Sequence, residues 1–306
     1  MRLLLRILLL LSAAAGGAVA AVQDVSLTGK SGSVKFAVIG DTGTGTAPQF
    51  AIGRQMADAR VPFPFDFVIM LGDNMYGRQD SRDFVEKFER PYAPLLQAGV
   101  KFYASLGNHD SQTNRFYKSF NMDGERYYTF ARENVRFFAF DTNLLDQAQL
   151  AWIEETLKQS QAEWKVCFFH HPLYSNAGRH GGNVALRVAL EPLLLRHGVD
   201  VVFSGHDHVY ERIKPQKGIT YFVSGSGGQL RRGDMRPSEA TAASFDRDYS
   251  FMLVEVDGSE MRFQARTRTG AIVDSGTRNA LAISAVVSPP TARRVSAIAD
   301  GRVRAG

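Results

Sequence analysis

The chain has 306 residues, of which 44% are hydrophobic and 22% charged. That is the balance of an ordinary globular polypeptide with room for a sizeable core, as one large domain or two small ones. The formal charge of +5 is inflated at the ends by Arg2, Arg6, Arg293, Arg294, Arg302 and Arg304, so the body is close to neutral. No Lys/Arg stripe interleaved with aromatics marks a nucleic-acid surface.

In chain order, Arg2 and Arg6 lead a leucine-rich run that ends in alanines and glycines. Ala18-Val19-Ala20 then fits a small-residue cleavage site. Residues 1–20 read as a secretory signal peptide, so the mature protein is expected in the periplasm or medium with no membrane attachment. The apolar part is short for a spanning helix. No Asn-x-Ser/Thr sequon occurs, and Cys167 is the single cysteine, so no internal disulfide can form.

Strands are predicted at Val34–Ile39, Phe67–Leu71, Val100–Leu106, Val135–Phe140, Val166–Phe169, Val199–Phe203, Ile219–Val223, Ser250–Val256 and Met261–Ala265. Helical patterns cover Gln49–Arg60, Asp80–Leu96, Asp146–Gln159 and Asn183–His197. Strands alternating with helices define an α/β domain, placed at residues 31–270. The later strands lack intervening helices, which suggests a more antiparallel sheet there. Residues 281–306 read as a disordered tail.

Five of these strands run into Gly40-Asp41, Gly72-Asp73, Gly107-Asn108-His109-Asp110, His170-His171 and Gly205-His206-Asp207-His208. Ligands bind beyond the carboxyl ends of strands in open sheets, and glycine lets backbone approach them closely. Five such ends are hard to explain by packing. Their donors are carboxylate, amide oxygen, imidazole and, at Tyr76, a phenol, with no thiolate. This set suits hard or borderline metals. Asp41, Asp73, Tyr76, Asn108, His170, His206 and His208 are too many for one ion. They suit two ions sharing a carboxylate, an arrangement that stabilises a phosphoryl group and makes hydroxide available near neutral pH.

In this order the blocks, including Gly72-Asp73-Asn74-Met75-Tyr76, resemble the purple acid phosphatases, members of the calcineurin-like metallophosphoesterases. The compact length is similar to the small, tartrate-resistant branch. The resemblance implies a four-layer αββα sandwich of two mixed sheets flanked by helices. It also implies a ferric ion held by Asp41, Asp73, Tyr76 and His208. A divalent iron, zinc or manganese would be held by Asp73, Asn108, His170 and His206. His170 is taken over His171 from the family's His-x-Pro pattern. A metal-bound hydroxide would attack small phosphate monoesters. His109, oriented by Asp110, and His180 would serve the substrate and leaving group, since histidine is a side chain that can donate a proton at mildly acid pH. A phosphodiesterase or nucleotidase on the same fold is the second reading, which Tyr76 argues against. A metal-free scaffold is the third, and the complete donor set argues against it. Asp207 reads as a supporting loop residue, Asp141 as an N-cap, His197 as a C-terminal cap and Gly225-Ser226-Gly227-Gly228 as a turn near the site.

Overall fold

The computed structural model describes residues 25–281. The expected signal peptide, and all of the expected tail but Leu281, lie outside the described residues. Among the described residues, no helix is long and apolar enough to cross a membrane.

Two mixed sheets face each other. The first has the order β13-β12-β11-β1-β2-β3 and the second β10-β8-β9-β7-β6-β5-β4. The centre of the first is parallel: β1 (Val34–Ile39), β2 (Phe67–Leu71) and β3 (Lys101–Ser105). The centre of the second is also parallel: β5 (Val135–Ala139), β6 (Trp164–Phe169), β7 (Val201–Ser204) and β9 (Ile219–Ser224). The later strands do not form a sheet of their own. β11 (Ser250–Asp257) pairs antiparallel with β1, and β12 (Glu260–Thr267) and β13 (Ile272–Asn279) follow outward. The ordered sheet therefore extends past residue 270. The antiparallel strands β4 (Tyr128–Arg132), β8 (Tyr210–Gln216) and β10 (Thr241–Phe245) flank the second sheet.

Strand alternation builds the layers. Phe36 and Val38 of β1, Ile69 and Leu71 of β2, Val166 and Phe168 of β6 and Phe203 of β7 point between the sheets into one core. Their neighbours Ala37, Ile39, Val68 and Met70 face the other way, against α1 (Ala47–Arg60) and the segments that follow β2. Cys167, Phe169 and Val202 face α4 (Gln147–Gln159) and α5 (Val184–Arg196). The result is helix, sheet, sheet, helix. Runs buried on both faces explain why the central strands read as continuous apolar blocks.

The helix expected at Asp80–Leu96 is interrupted. Asp80 forms a capping box for the short α2 (Ser81–Phe84), a π-turn follows at Val85–Glu89, and α3 (Ala93–Gln97) starts afresh. Pro91 and Pro94 cannot donate the backbone hydrogen bonds that one straight helix needs. The cap of α4 is Asp146, whose Oδ1 accepts from Gln149 N at 2.8 Å. Asp141 is instead buried, accepting from Asn143 N at 2.9 Å and lying 3.5 Å from Arg126. His197 does cap α5, and its Nε2 meets Glu154 at 2.9 Å.

Candidate metal centre

The strand ends meet where the two sheets open. Asp41 and Asp73 follow β1 and β2, Asn108 and His109 follow β3, His170 follows β6, and His206 and His208 follow β7. Asp41, Asp73 and His206 have φ of 55°, 50° and 69°. Left-handed backbone at a non-glycine residue costs about 1–3 kcal/mol and persists only where its surroundings impose it. Here the imposition is visible. Asp41 N donates to Gly72 O, and Thr42 N to Asp73 O, each at 3.0 Å. Gly228 N and Gln229 N donate to Asp41 O at 3.1 and 3.0 Å, so the Gly225–Gly228 turn clamps the first aspartate. At Gly107 a Cβ would lie 2.2 Å from both Asp73 N and Oδ1, so only glycine permits this approach.

The side chains gather into two groups. In the first, the Tyr76 hydroxyl lies 3.0 Å from Asp73 Oδ2, 3.3 Å from Asp41 Oδ1 and 3.2 Å from His208 Nε2. One phenolic proton thus faces three acceptors. Both carboxylates are buried. Burial raises the pKa of each, and for Asp41 repulsion from Asp73 adds to it. Burial also pushes the Tyr76 phenol far up, with the two carboxylates adding to the shift. A cation between them relieves every one of these penalties.

In the second group, His170 Nδ1 lies 2.9 Å from the Leu71 carbonyl, which fixes the proton on Nδ1 and leaves a bare lone pair on Nε2. That Nε2 is 2.9 Å from Asn108 Oδ1 and 3.1 Å from His206 Nδ1, which is itself 3.0 Å from Asn108 Oδ1. Three lone-pair atoms converge with at most one proton among them. Burial pushes His206 down to about 2, helped by repulsion from His170, and His170 well below its ordinary value. No further proton is available, and a cation fits the gap. Asp73 stands between the groups, with Oδ2 toward Tyr76 and Oδ1 3.5 Å from His170 Nε2.

His171 lies beside the second group. Its Nδ1 is 3.0 Å from the Thr142 hydroxyl, and its ring packs on His206 with centroids 4.5 Å apart. His180 is also brought onto the site, its ring 4.4 Å from that of His206. Burial, then Arg231 and Arg179, lower its pKa from the ordinary histidine value. His109 is 53% exposed, its ring lies 4.8 Å from that of Tyr76, and its Nε2 lies 4.0 Å from Asp73 Oδ2.

The expectation that Asp110 orients the His109 ring is corrected. Its carboxylate turns inward and accepts from Gly107 N at 2.9 Å, Asn74 N at 3.1 Å and Met75 N at 2.9 Å. It ties the Asp73–Tyr76 loop to the Asn108 loop. Three backbone amides pointing one way outcompete an exposed imidazole. Two residues that sequence reading passed over do similar work. Asn74 Nδ2 donates to Ser105 O at 2.7 Å and Asp110 Oδ2 at 2.9 Å. Gln79 Nε2 donates to His109 O at 2.6 Å, while its Oε1 accepts from Ser111 N at 2.8 Å. The polar Asn74 beside the metal motif was a usable signal; Gln79 carries none. Asp207 accepts from Ser175 Oγ at 2.6 Å, a supporting role.

Over residues 34–210 the chain matches the calcineurin-like phosphoesterase family. Purple acid phosphatase 17 of Arabidopsis thaliana is 31% identical over 245 residues, which span 67% of this chain and 72% of that protein. Tartrate-resistant acid phosphatase type 5 of Rattus norvegicus is 27% identical over 243 residues, 65% of this chain and 74% of that one. The structure of purple acid phosphatase PPD1 from yellow lupin (Lupinus luteus) seeds superposes with a TM-score of 0.68 at 19% identity. That superposition covers 82% of this chain and 54% of the lupin chain, and it bears on the fold alone. Two layered mixed sheets with metal-binding groups at their strand ends define a calcineurin-like metallophosphoesterase, and the chain belongs to that family. Within the family it is of the purple acid phosphatase type.

Proposed function

We propose that this chain is an exported acid phosphatase that hydrolyses small phosphate monoesters at a dinuclear metal centre. The observation that carries the reading is the placement of Asp73 between two converging groups, with one oxygen addressed to each. Asp41, Asp73, Tyr76 and His208 would hold a ferric ion. Asp73, Asn108, His170 and His206 would hold a divalent iron, zinc or manganese. Two such cations supply charge for the phosphoryl oxygens and lower the pKa of water to near neutrality.

The chain's own residues then have separable tasks. Asp73 fixes the two groups relative to each other, and Asp110 and Asn74 hold the backbone that carries it. His109, exposed beside Tyr76, donates a hydrogen bond to the phosphate and a proton to the departing oxygen. The lowered pKa of His180 favours hydrogen bonding to the phosphate over proton delivery. Export rests on the residue 1–20 pattern, the arginine-led apolar run and Ala18-Val19-Ala20.

The test is hydrolysis of phenyl phosphate and of a phosphate diester by the purified, metal-loaded chain, with metal content measured on the same sample. Monoester turnover that is fastest at mildly acid pH, with about two metal ions per chain, is expected. Faster diester turnover, or full activity with no bound metal, would overturn the reading.

A further inference from the structure

A cavity of about 480 Å³ adjoins the centre and shares Asn108 with it. That volume is within the usual range for a small-molecule site. Beyond Asn108 it is lined by Gln112, Thr142, Asn143, His171, Asn183 and Leu186. Three of these keep hydrogen-bonding capacity in reserve among the described residues. Asn143 Nδ2 donates to Leu106 O at 3.0 Å, which leaves its Oδ1 free to accept. Asn183 Oδ1 accepts from Leu186 N at 3.0 Å as the cap of α5, which leaves its Nδ2 free to donate. The Gln112 amide forms no hydrogen bond within the described residues, so it can do both. His171 also lines the cavity, its backbone N donating to the Thr142 hydroxyl at 3.1 Å and its Nδ1 facing that hydroxyl at 3.0 Å.

The lining carries no lysine or arginine. Its one carboxylate, Asp110, is committed to the loop amides. A second phosphate on the leaving group would lose water here and gain no countercharge. A hydroxyl both donates and accepts, and matches every free group named above. Leu186 and Ala185 supply apolar surface for carbon.

We infer that this cavity is the leaving-group subsite and that it selects uncharged, hydroxyl-rich alcohols, so the favoured substrates are monophosphates of sugars or polyols rather than nucleoside polyphosphates. The inference rests on the phosphatase reading above and adds the substrate class.

The experiment is steady-state kinetics of the full, metal-loaded chain on phenyl phosphate, a hexose 6-phosphate and adenosine triphosphate. The hexose phosphate is expected to exceed the triphosphate in kcat/KM by about tenfold or more, the effect of one to two satisfied hydrogen bonds. Gln112→Ala and Asn183→Ser are then compared with wild type, the serine keeping the helix cap. Each is expected to raise the KM for hexose phosphate several-fold relative to that for phenyl phosphate, with kcat less affected. A triphosphate preference, or an unchanged KM ratio in both variants, overturns the subsite while phenyl phosphate turnover leaves the phosphatase reading standing. Absence of turnover on all three substrates overturns both.

Discussion

The two halves of the candidate centre are built from opposite materials. One half holds two buried carboxylates and a phenol beside a single imidazole. The other holds two imidazoles and an amide oxygen, all neutral. The first accumulates negative charge that burial makes costly, and only a strongly positive ion offsets it. The second offers lone pairs without charge and suits a divalent ion. Asymmetry of this kind would suit two different metals a short distance apart. It also says which substitutions will act on one half alone.

The largest effect is expected where the halves meet. Asp73→Asn removes the only carboxylate among the described residues that is addressed to both groups. Turnover should fall about 10²–10³-fold, the scale seen when a main source of charge stabilisation is removed, and metal analysis should show loss from both halves. Full retention of metal and activity would mean that the halves are independent. A smaller and more selective outcome separates them. Tyr76→Phe should abolish any visible phenolate-to-iron absorption while leaving most of the bound metal in place. His170→Ala should keep the colour and lose about one equivalent of metal. If both variants lose colour and metal alike, the division into an anionic and a neutral half is wrong.

Much of this candidate centre was legible in sequence because buried parallel strands read as unbroken apolar blocks, and each block ends in a candidate ligand. Val34–Ile39 and Phe67–Leu71 are observed as predicted. The strands that escaped prediction have a common physical reason. β4, β10 and β13 are edges with one ladder partner each, and Ile272-Val273-Asp274-Ser275 falls beyond the expected domain end at residue 270. β8 contains Lys214 and Pro215, which mask its pattern. Long-range supports were hidden for another reason. Nothing local in Gly107-Asn108-His109-Asp110 tells that the Asp110 carboxylate reaches back to Asn74 and Met75. Its proximity to His109 in the chain pointed to the wrong partner. Likewise the left-handed backbone at Asp41, Asp73 and His206 is imposed by neighbouring loops, and aspartate and histidine, though enriched in that conformation, adopt it in only a minority of cases.

The smallest expected effect tests the neutral half by its protons. In the unfolded chain a histidine titrates near 6.5. In the folded, metal-free protein burial and the neighbouring His170 push His206 down to about 2. Below pH 6.5 the unfolded chain therefore takes up a proton that the folded chain refuses. Stability from this residue is complete above pH 6.5 and is lost progressively as pH falls toward about 2. His206→Asn lacks the titrating group and keeps a side chain of similar polarity. Comparing it with wild type cancels opposite contributions from Asp110, raised to about 7, and Asp207, raised to about 6. In metal-stripped samples the variant should gain on wild type by a few degrees in melting temperature between neutral pH and pH ~4.5. The ring is only partly buried, so solvent trims the effect. A flat difference across that range would show an imidazole free to protonate in the folded state. The second half would then carry charge of its own, and its contrast with the first would rest on the amide and His170 alone.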